Sequence, residues 1–178
     1  MKVVVLVDGE HYPSVTRWAI DELRERGLEP IAALFVGGGE KLPYDAASFD
    51  WVLLFSTLQY MDIRAAVRDI ARVLAPGGRL ITSQPLLPVL LADLFRARWE
   101  PRALAHKVVA LVNSLSYGLF GQRLWGNVAS RSTSRPVYLT RRQTISMVEK
   151  AGLRFLPSLS AQQEEAREFI LVAEKPQG

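Results

Sequence analysis

The 178-residue sequence contains no cysteine. That absence excludes disulfides, thiolate metal sites and cysteine nucleophiles together, and it fits a reducing compartment, so a cytoplasmic location is the expectation. No G-x-x-x-x-G-K-[ST] string occurs, which argues against a self-sufficient ATP-using enzyme. Long apolar runs are lacking too. The sequence predicts no window of the roughly 18–20 apolar residues that a spanning helix needs. Val3–Val7 is too short for a signal peptide, and Asp8 interrupts it. Internal repeats, low-complexity tracts and recognisable nucleic-acid-binding modules are missing as well, so no nucleic-acid partner is expected.

What is present is globular. Hydrophobic residues make up 49% and charged residues 22%, enough for a single domain over 1–178 with a real core. The net charge is +4, unevenly placed. Between Leu86 and Arg135 stand Arg96, Arg98, Arg102, Lys107, Arg123, Arg131 and Arg135 against Asp93 and Glu100, or 7 − 2 = +5. This basic, apolar segment suits an anionic substrate or peripheral contact with a membrane surface. A solvated basic face over a buried apolar one is the simpler account.

Strand and helix signals alternate. Lys2–Val7 reads as a buried parallel strand leaving through Asp8-Gly9. A helix opens at Pro13 or Ser14 and stops at Gly27. Ile31–Val36 and Phe49–Phe55 are further buried strands, the first closed by Gly37-Gly38-Gly39. A helix over Ile63–Leu74 is ended by Pro76-Gly77-Gly78, and Arg79–Ser83 is the fourth strand. Thr140 and Gln143 form a capping box for a helix that runs to Ala151, with Gly152 beyond its end. Leu153–Leu156 and Phe169–Ala173 should close the sheet as an antiparallel pair joined by the polar stretch Ser160–Glu168. The pattern predicts an α/β fold, a Rossmann-like three-layer sheet, mostly parallel with a C-terminal antiparallel hairpin. Residues 86–135 are predicted to be a cap of two or three short amphipathic helices inserted after the fourth strand.

From Glu40 onward the residues resemble the class I S-adenosylmethionine-dependent methyltransferases. Glu40-Lys41-Leu42-Pro43-Tyr44 with Ser48-Phe49-Asp50 is similar to that family's passage into its fourth strand. Leu54–Met61 matches the strand exit, and Ile70–Ile81 matches the helix, Pro-Gly-Gly turn and fifth strand. Pro136–Gly152 and Phe169–Pro176 resemble the final helix and closing hairpin. The resemblance implies S-adenosylmethionine as cofactor and a small or lipid-like methyl acceptor. It implies cofactor contacts at Asp8, Gly9, Gly38, Gly39, Phe55 and Ser56, and acceptor contacts at Gln59 and Tyr60. No general base is implied, since methyl transfer from a sulfonium depends mainly on placement in a water-poor pocket.

One departure stands out. The family's D-x-G-x-G loop after its first strand has no counterpart, so Val7-Asp8-Gly9-Glu10 is either a decayed version of it or the end of the second strand. The second alternative places Asp8 on the ribose hydroxyls and leaves the sheet incomplete at the N-terminus. Where the family has an acidic residue near the adenine, this chain has Gly38-Gly39.

Val3–Tyr12 and Ile31–Leu42 resemble a second family, the N-terminal region of cyclic 2,3-diphosphoglycerate synthetases, and this likeness ends near Leu42. It implies a fusion of two α/β proteins, a phosphoglycerate- or nucleotide-binding role, or remnants of another ligand site at Asp8, Gly9, Glu10 and His11. A non-catalytic module that binds a partner or membrane through the cap is the remaining alternative.

Several features carry two readings each. Gly37-Gly38-Gly39 suits either a phosphate cradle or a flexible turn. Asp8, Glu10 and His11 form either a metal or acid–base cluster or a surface turn. Ser56 and Thr57 either contact ligand or cap a helix. His106 reads as half-buried. Trp99, Tyr117, Phe120 and Trp125 line a pocket or form a core stripe. Arg141-Arg142, in a helix's first turn where the macrodipole disfavours cations, mark an anion contact or are solvated.

Overall fold

The computed structural model describes residues 2–8, 21, 24–25, 27, 29–35, 42–55, 57–96, 100–124, 136–163 and 168–177. Seven strands form one sheet: β1 Lys2–Asp8, β2 Glu29–Phe35, β3 Phe49–Phe55, β4 Leu74–Pro85, β5 Arg154–Phe155, β6 Ala161–Gln163 and β7 Glu168–Glu174. Their order is β2-β1-β3-β4-β7-β5, with β6 also paired to β7. β1, β2, β3 and β4 run parallel, and β7 lies antiparallel to β4, β5 and β6. Four helices are described in full: α1 Ile63–Val73, α2 Leu87–Arg96, α3 Pro101–Phe120 and α4 Arg141–Lys150. Asp21, Arg24 and Glu25 are helical as well, and Gly27, at φ 73°, closes that turn on the Arg24 carbonyl. The rest of that predicted helix lies outside the described residues.

The core lies between the sheet and one helical layer. Leu54, Leu74, Leu80 and Leu171 of the strands meet Ile63, Val67 and Ile70 of α1 and Val148 of α4. On the opposite sheet face Val3 and Leu53 pack with Trp51, Phe55 and Ile81. The alternation along β3 explains the division, because successive side chains point to opposite faces.

Caps fix the helix ends. Asp62 opens α1 by accepting from the Arg64 and Ala65 amides. Thr140 and Gln143 make the predicted capping box on α4, and Gly152 follows it at φ 85°. At the other end of α1, Lys175 Nζ donates to the carbonyls of Ala71 and Leu74, two acceptors with no partner inside the helix. The Leu42-Pro43-Tyr44 motif is pinned by Arg72, which donates to the carbonyls of Tyr44 and Leu42 at 2.7 and 3.0 Å and pairs with Asp69 at 2.6 Å.

Some expectations change. Pro76-Gly77-Gly78 does not end α1. The chain turns extended at Leu74, and the three residues lie within β4. Pairing jumps from Phe49↔Leu74 to Trp51↔Arg79, so residues 75–78 bulge out of the ladder. A Cβ on Gly78 would lie 2.8 Å from the Ala75 carbonyl oxygen and 3.1 Å from those of Phe49 and Asp50, which is why glycine stands there. The polar stretch before β7 contains β6. The cap holds one long helix rather than short ones only. Twenty residues long, α3 reaches the length and mean hydropathy of a spanning segment, 1.2 over an 18-residue window of which 28% is buried. The expectation that no window does so is corrected, because Ala, Gly, Ser and Tyr dilute its leucines without adding charge.

Candidate cofactor and acceptor site

The chain leaves β1, adds β2 on one side, and returns to add β3 on the other. The order therefore reverses between β1 and β3, and the crevice beyond their carboxyl ends is where an open α/β sheet takes its ligand. Asp8 ends β1 and Phe55 ends β3, so these two predicted site residues stand at the switch point. The Leu6↔Leu54 pairing places the strands side by side there. Phe55 is half-buried on the sheet face away from α1. Gly9, Gly38, Gly39 and Ser56 lie outside the described residues, as do Glu10 and His11. Among the described residues no group of three His, Asp or Glu side chains is placed to hold a metal.

β1 sits next to β3, the place held by the first strand of a doubly wound sheet of order 3-2-1-4-5-6. Hence Asp8 ends the strand in that first place, not a second strand. Among the described residues no strand lies beyond β2.

Past β3, Thr57 turns the chain. Its hydroxyl donates back to the Phe55 carbonyl at 2.8 Å and makes no capping bond. The capping alternative for Thr57 is thereby excluded, and Asp62 does that work instead. Leu58–Tyr60 forms a single 3-10 turn in which Gln59 is buried and Tyr60 half-buried. The Gln59 carbonyl accepts from the Val137 amide at 2.9 Å and from Arg123 Nη2 at 3.0 Å. Arg123 Nη2 also donates to the Met61 carbonyl. The backbone of the predicted acceptor residue Gln59 is thus held by Arg123 of the cap and by Val137 after it.

Three further contacts bind the cap down. Ser114 of α3 accepts from the Tyr138 amide at 2.8 Å, and the Leu87 amide donates to the Leu139 carbonyl at 3.0 Å. The Tyr117 hydroxyl donates to Asp62 at 2.9 Å and accepts from the Arg64 amide at 3.0 Å. Burial and the neighbouring Asp62 carboxylate push the Tyr117 phenol up to about 12, so it remains a neutral donor. The sequence places Gln84 at the carboxyl end of a strand, but it does not single out Thr144. Both are buried, Gln84 near the end of β4 and Thr144 in α4, with Gln84 Nε2 donating to Thr144 Oγ1 at 2.7 Å. An apolar strand ending in Thr-Ser-Gln was the available signal. Thr82 Oγ1, two residues earlier, is buried without a hydrogen-bond partner.

The remaining alternatives are settled unevenly. His106 is exposed, not half-buried. Tyr117 belongs to the core while Phe120 faces solvent, so the aromatic set is neither one pocket nor one stripe. Trp99 and Trp125 lie outside the described residues. Arg142 is exposed, and the Arg141 guanidinium lies 5.2 Å over the Phe169 ring, which explains a cation in that first turn without an anion.

Sequence comparison divides along the chain. A profile described as cyclic 2,3-diphosphoglycerate synthetase, N-terminal domain, matches residues 2–73. The match passes the expected end near Leu42 and overlaps the methyltransferase-like stretch. The synthetase of Pyrococcus furiosus is 51% identical over 39 residues, 22% of this chain and 8% of that protein. The ubiquinone/menaquinone biosynthesis C-methyltransferase UbiE of Caulobacter vibrioides is 41% identical over 66 residues, 36% of this chain and 26% of that protein. The chain thus spans only 8% and 26% of the length of these relatives. Among solved structures, the putative methyltransferase bound to the Haloferax volcanii Trm112 activator superposes with a TM-score of 0.60 at 13% identity, covering 98% of this chain and 82% of that one. The protein has the fold of the S-adenosylmethionine-dependent methyltransferases, with sequence similarity to both a quinone-pathway methyltransferase and the diphosphoglycerate synthetase N-terminal domain.

Proposed function

We propose that the protein binds S-adenosylmethionine across the carboxyl ends of β1 and β3 and methylates a small or lipid-like acceptor beneath the α2–α3 cap. The observation that carries this reading is the order reversal between β1 and β3, with a cap-clamped polar turn directly after β3. The residues available there suit the group. In sequence, Asp8 ends β1 and Gly9 follows it, and Gly38 and Gly39 come after β2, where a nucleoside needs close backbone approach. Phe55 offers an apolar surface and Ser56 a hydroxyl. When bound, the cofactor supplies an electrophilic methyl group. The chain's own residues would orient the acceptor through Gln59 and Tyr60 and exclude water through the cap. Support for the chemistry comes from the UbiE likeness.

Isothermal titration with S-adenosylmethionine and S-adenosylhomocysteine tests the reading. Binding in the micromolar range, roughly −8 kcal/mol, is expected, with Asp8→Asn weakening it about tenfold or more. A folded protein that gives no heat with either ligand would falsify it and leave a non-catalytic module.

A further inference from the structure

The long cap helix α3 is turned inside out. The face it presents to the domain is largely polar, with Asn113, Ser114, Ser116 and Tyr117 buried beside Ala110. The opposite face carries Val108, Leu115 and Leu119, which fall at i, i+7 and i+11 and so form one stripe along the helix. Leu115 is 50% exposed, Leu119 76% and the adjoining Phe120 74%. Leu124 follows, and Leu91 and Phe95, one turn apart on α2, add to the set. Seven of the eight exposed large apolar side chains among the described residues thus lie on the cap, Leu159 being the other. The composition allowed a basic solvated face over a buried apolar one, whereas the cap exposes apolar and basic side chains together.

We infer that this face docks the protein on an anionic lipid bilayer, with α3 lying along the surface. An interfacial helix needs an apolar stripe at the acyl boundary and cations at the headgroups. The stripe is described above. The cations belong to the same segment, whose net charge is 7 − 2 = +5. Among them Arg96 and Arg102 are exposed, and Asp93 is shared between Lys107 at 3.4 Å and Arg96 at 3.7 Å. Trp99 and Trp125 bracket the helix in sequence, the residue type favoured at membrane interfaces. Charge also decides against a second copy on this face, because a two-fold contact would bring two +5 segments together. The buried polar side and its bonds to Tyr138 and Asp62 keep α3 on the domain, so the helix lies on the bilayer without crossing it. The inference does not depend on methyl transfer.

Co-sedimentation of the full chain tests it, using vesicles of phosphatidylglycerol and phosphatidylcholine in equal parts against phosphatidylcholine alone. Binding to the anionic vesicles only is expected, weakening sharply at about 1 M salt, where the Debye length is about 3 Å. Two double variants at exposed positions, Leu119→Ser with Phe120→Ser and Arg96→Glu with Arg102→Glu, should each lower partitioning about tenfold or more. Thermal midpoints for both should stay unchanged. Equal binding to neutral vesicles, no binding to either, or unaltered binding by either double variant overturns the inference. So does a dimer on gel filtration that Leu119→Ser with Phe120→Ser dissociates, which would make the face a contact between copies.

Discussion

At the scale of single residues, Tyr117 carries the most. Its ring fills the space between α3 and the start of α1, and its hydroxyl completes the Asp62 cap from a position 55 residues away. The neighbouring glycines show how closely the cap approaches. A Cβ on Gly121 would collide with the Arg64 guanidinium, and one on Gly118 would lie 2.5 Å from Gln143 Nε2. Because the phenol is raised to about 12 in the folded chain and titrates near 10 unfolded, the unfolded state loses its proton first. Its contribution is therefore whole below pH 10 and falls away between about pH 10 and 12, by on the order of 2–3 kcal/mol. Tyr117→Phe should be less stable than wild type at pH 7 by about 1 kcal/mol for the lost hydrogen bonds. The gap between the two proteins should shrink, and can reverse, as urea midpoints are followed above pH 10. A gap that stays constant from pH 7 to 11 would remove the phenol from this role.

At the scale of elements, helix α4 shows what short-range sequence can specify. Thr140 accepts from the Gln143 amide while the Gln143 carboxamide oxygen accepts from the Thr140 amide, and both partners lie within four residues. Gly152 at φ 85° needs no distant contact either. Thr140→Ala should cost about 1 kcal/mol, read as a lowered urea midpoint at unchanged slope. An unchanged midpoint would mean that packing on Val148 alone sets the helix. The strands β1 and β3 and helix α1 were legible for the same local reason, as apolar runs or periodic faces bounded by turn residues. What was not legible is set by partners far along the chain. The Pro-Gly-Gly residues read as a helix stop, yet the β3 edge and Lys175 draw them into β4 as a bulge. The place of β1 between β2 and β3 is a matter of pairing, which periodicity does not encode. Nor does composition tell which side of α3 faces water, since its leucines and its Asn-Ser-Ser-Tyr face are equally amphipathic either way round. Of the site, the switch-point residues Asp8 and Phe55 and the turn at Gln59 and Tyr60 could be placed from strand ends. The Gln84–Thr144 pair, 60 residues apart, could not.

At the scale of the molecule, two sequence likenesses meet in one sheet. The synthetase-like match covers residues 2–73, and the methyltransferase fold covers nearly all of the chain. If the boundary near Leu42 were a structural seam, the strands on either side would have separate cores. They do not. β1 pairs with β2 and β3 at once, β3 with β4, and β4 with β7. Leu42 and Phe49 share a cluster with Val148 and Leu171, and Val3 packs with Ile81. Removing either side would strip a strand of its ladder and open the cluster to water. Unfolding should therefore be one cooperative transition. Scanning calorimetry should give a single peak whose calorimetric and van't Hoff enthalpies agree. At about 0.7 kcal/mol per residue near 60 °C, that enthalpy is roughly 120 kcal/mol for 178 residues. Far-ultraviolet circular dichroism and tryptophan fluorescence should share its midpoint. Two separated transitions, with the fluorescence of Trp51 in β3 following only the later one, would instead mean that β1 and β2 detach as a unit of their own.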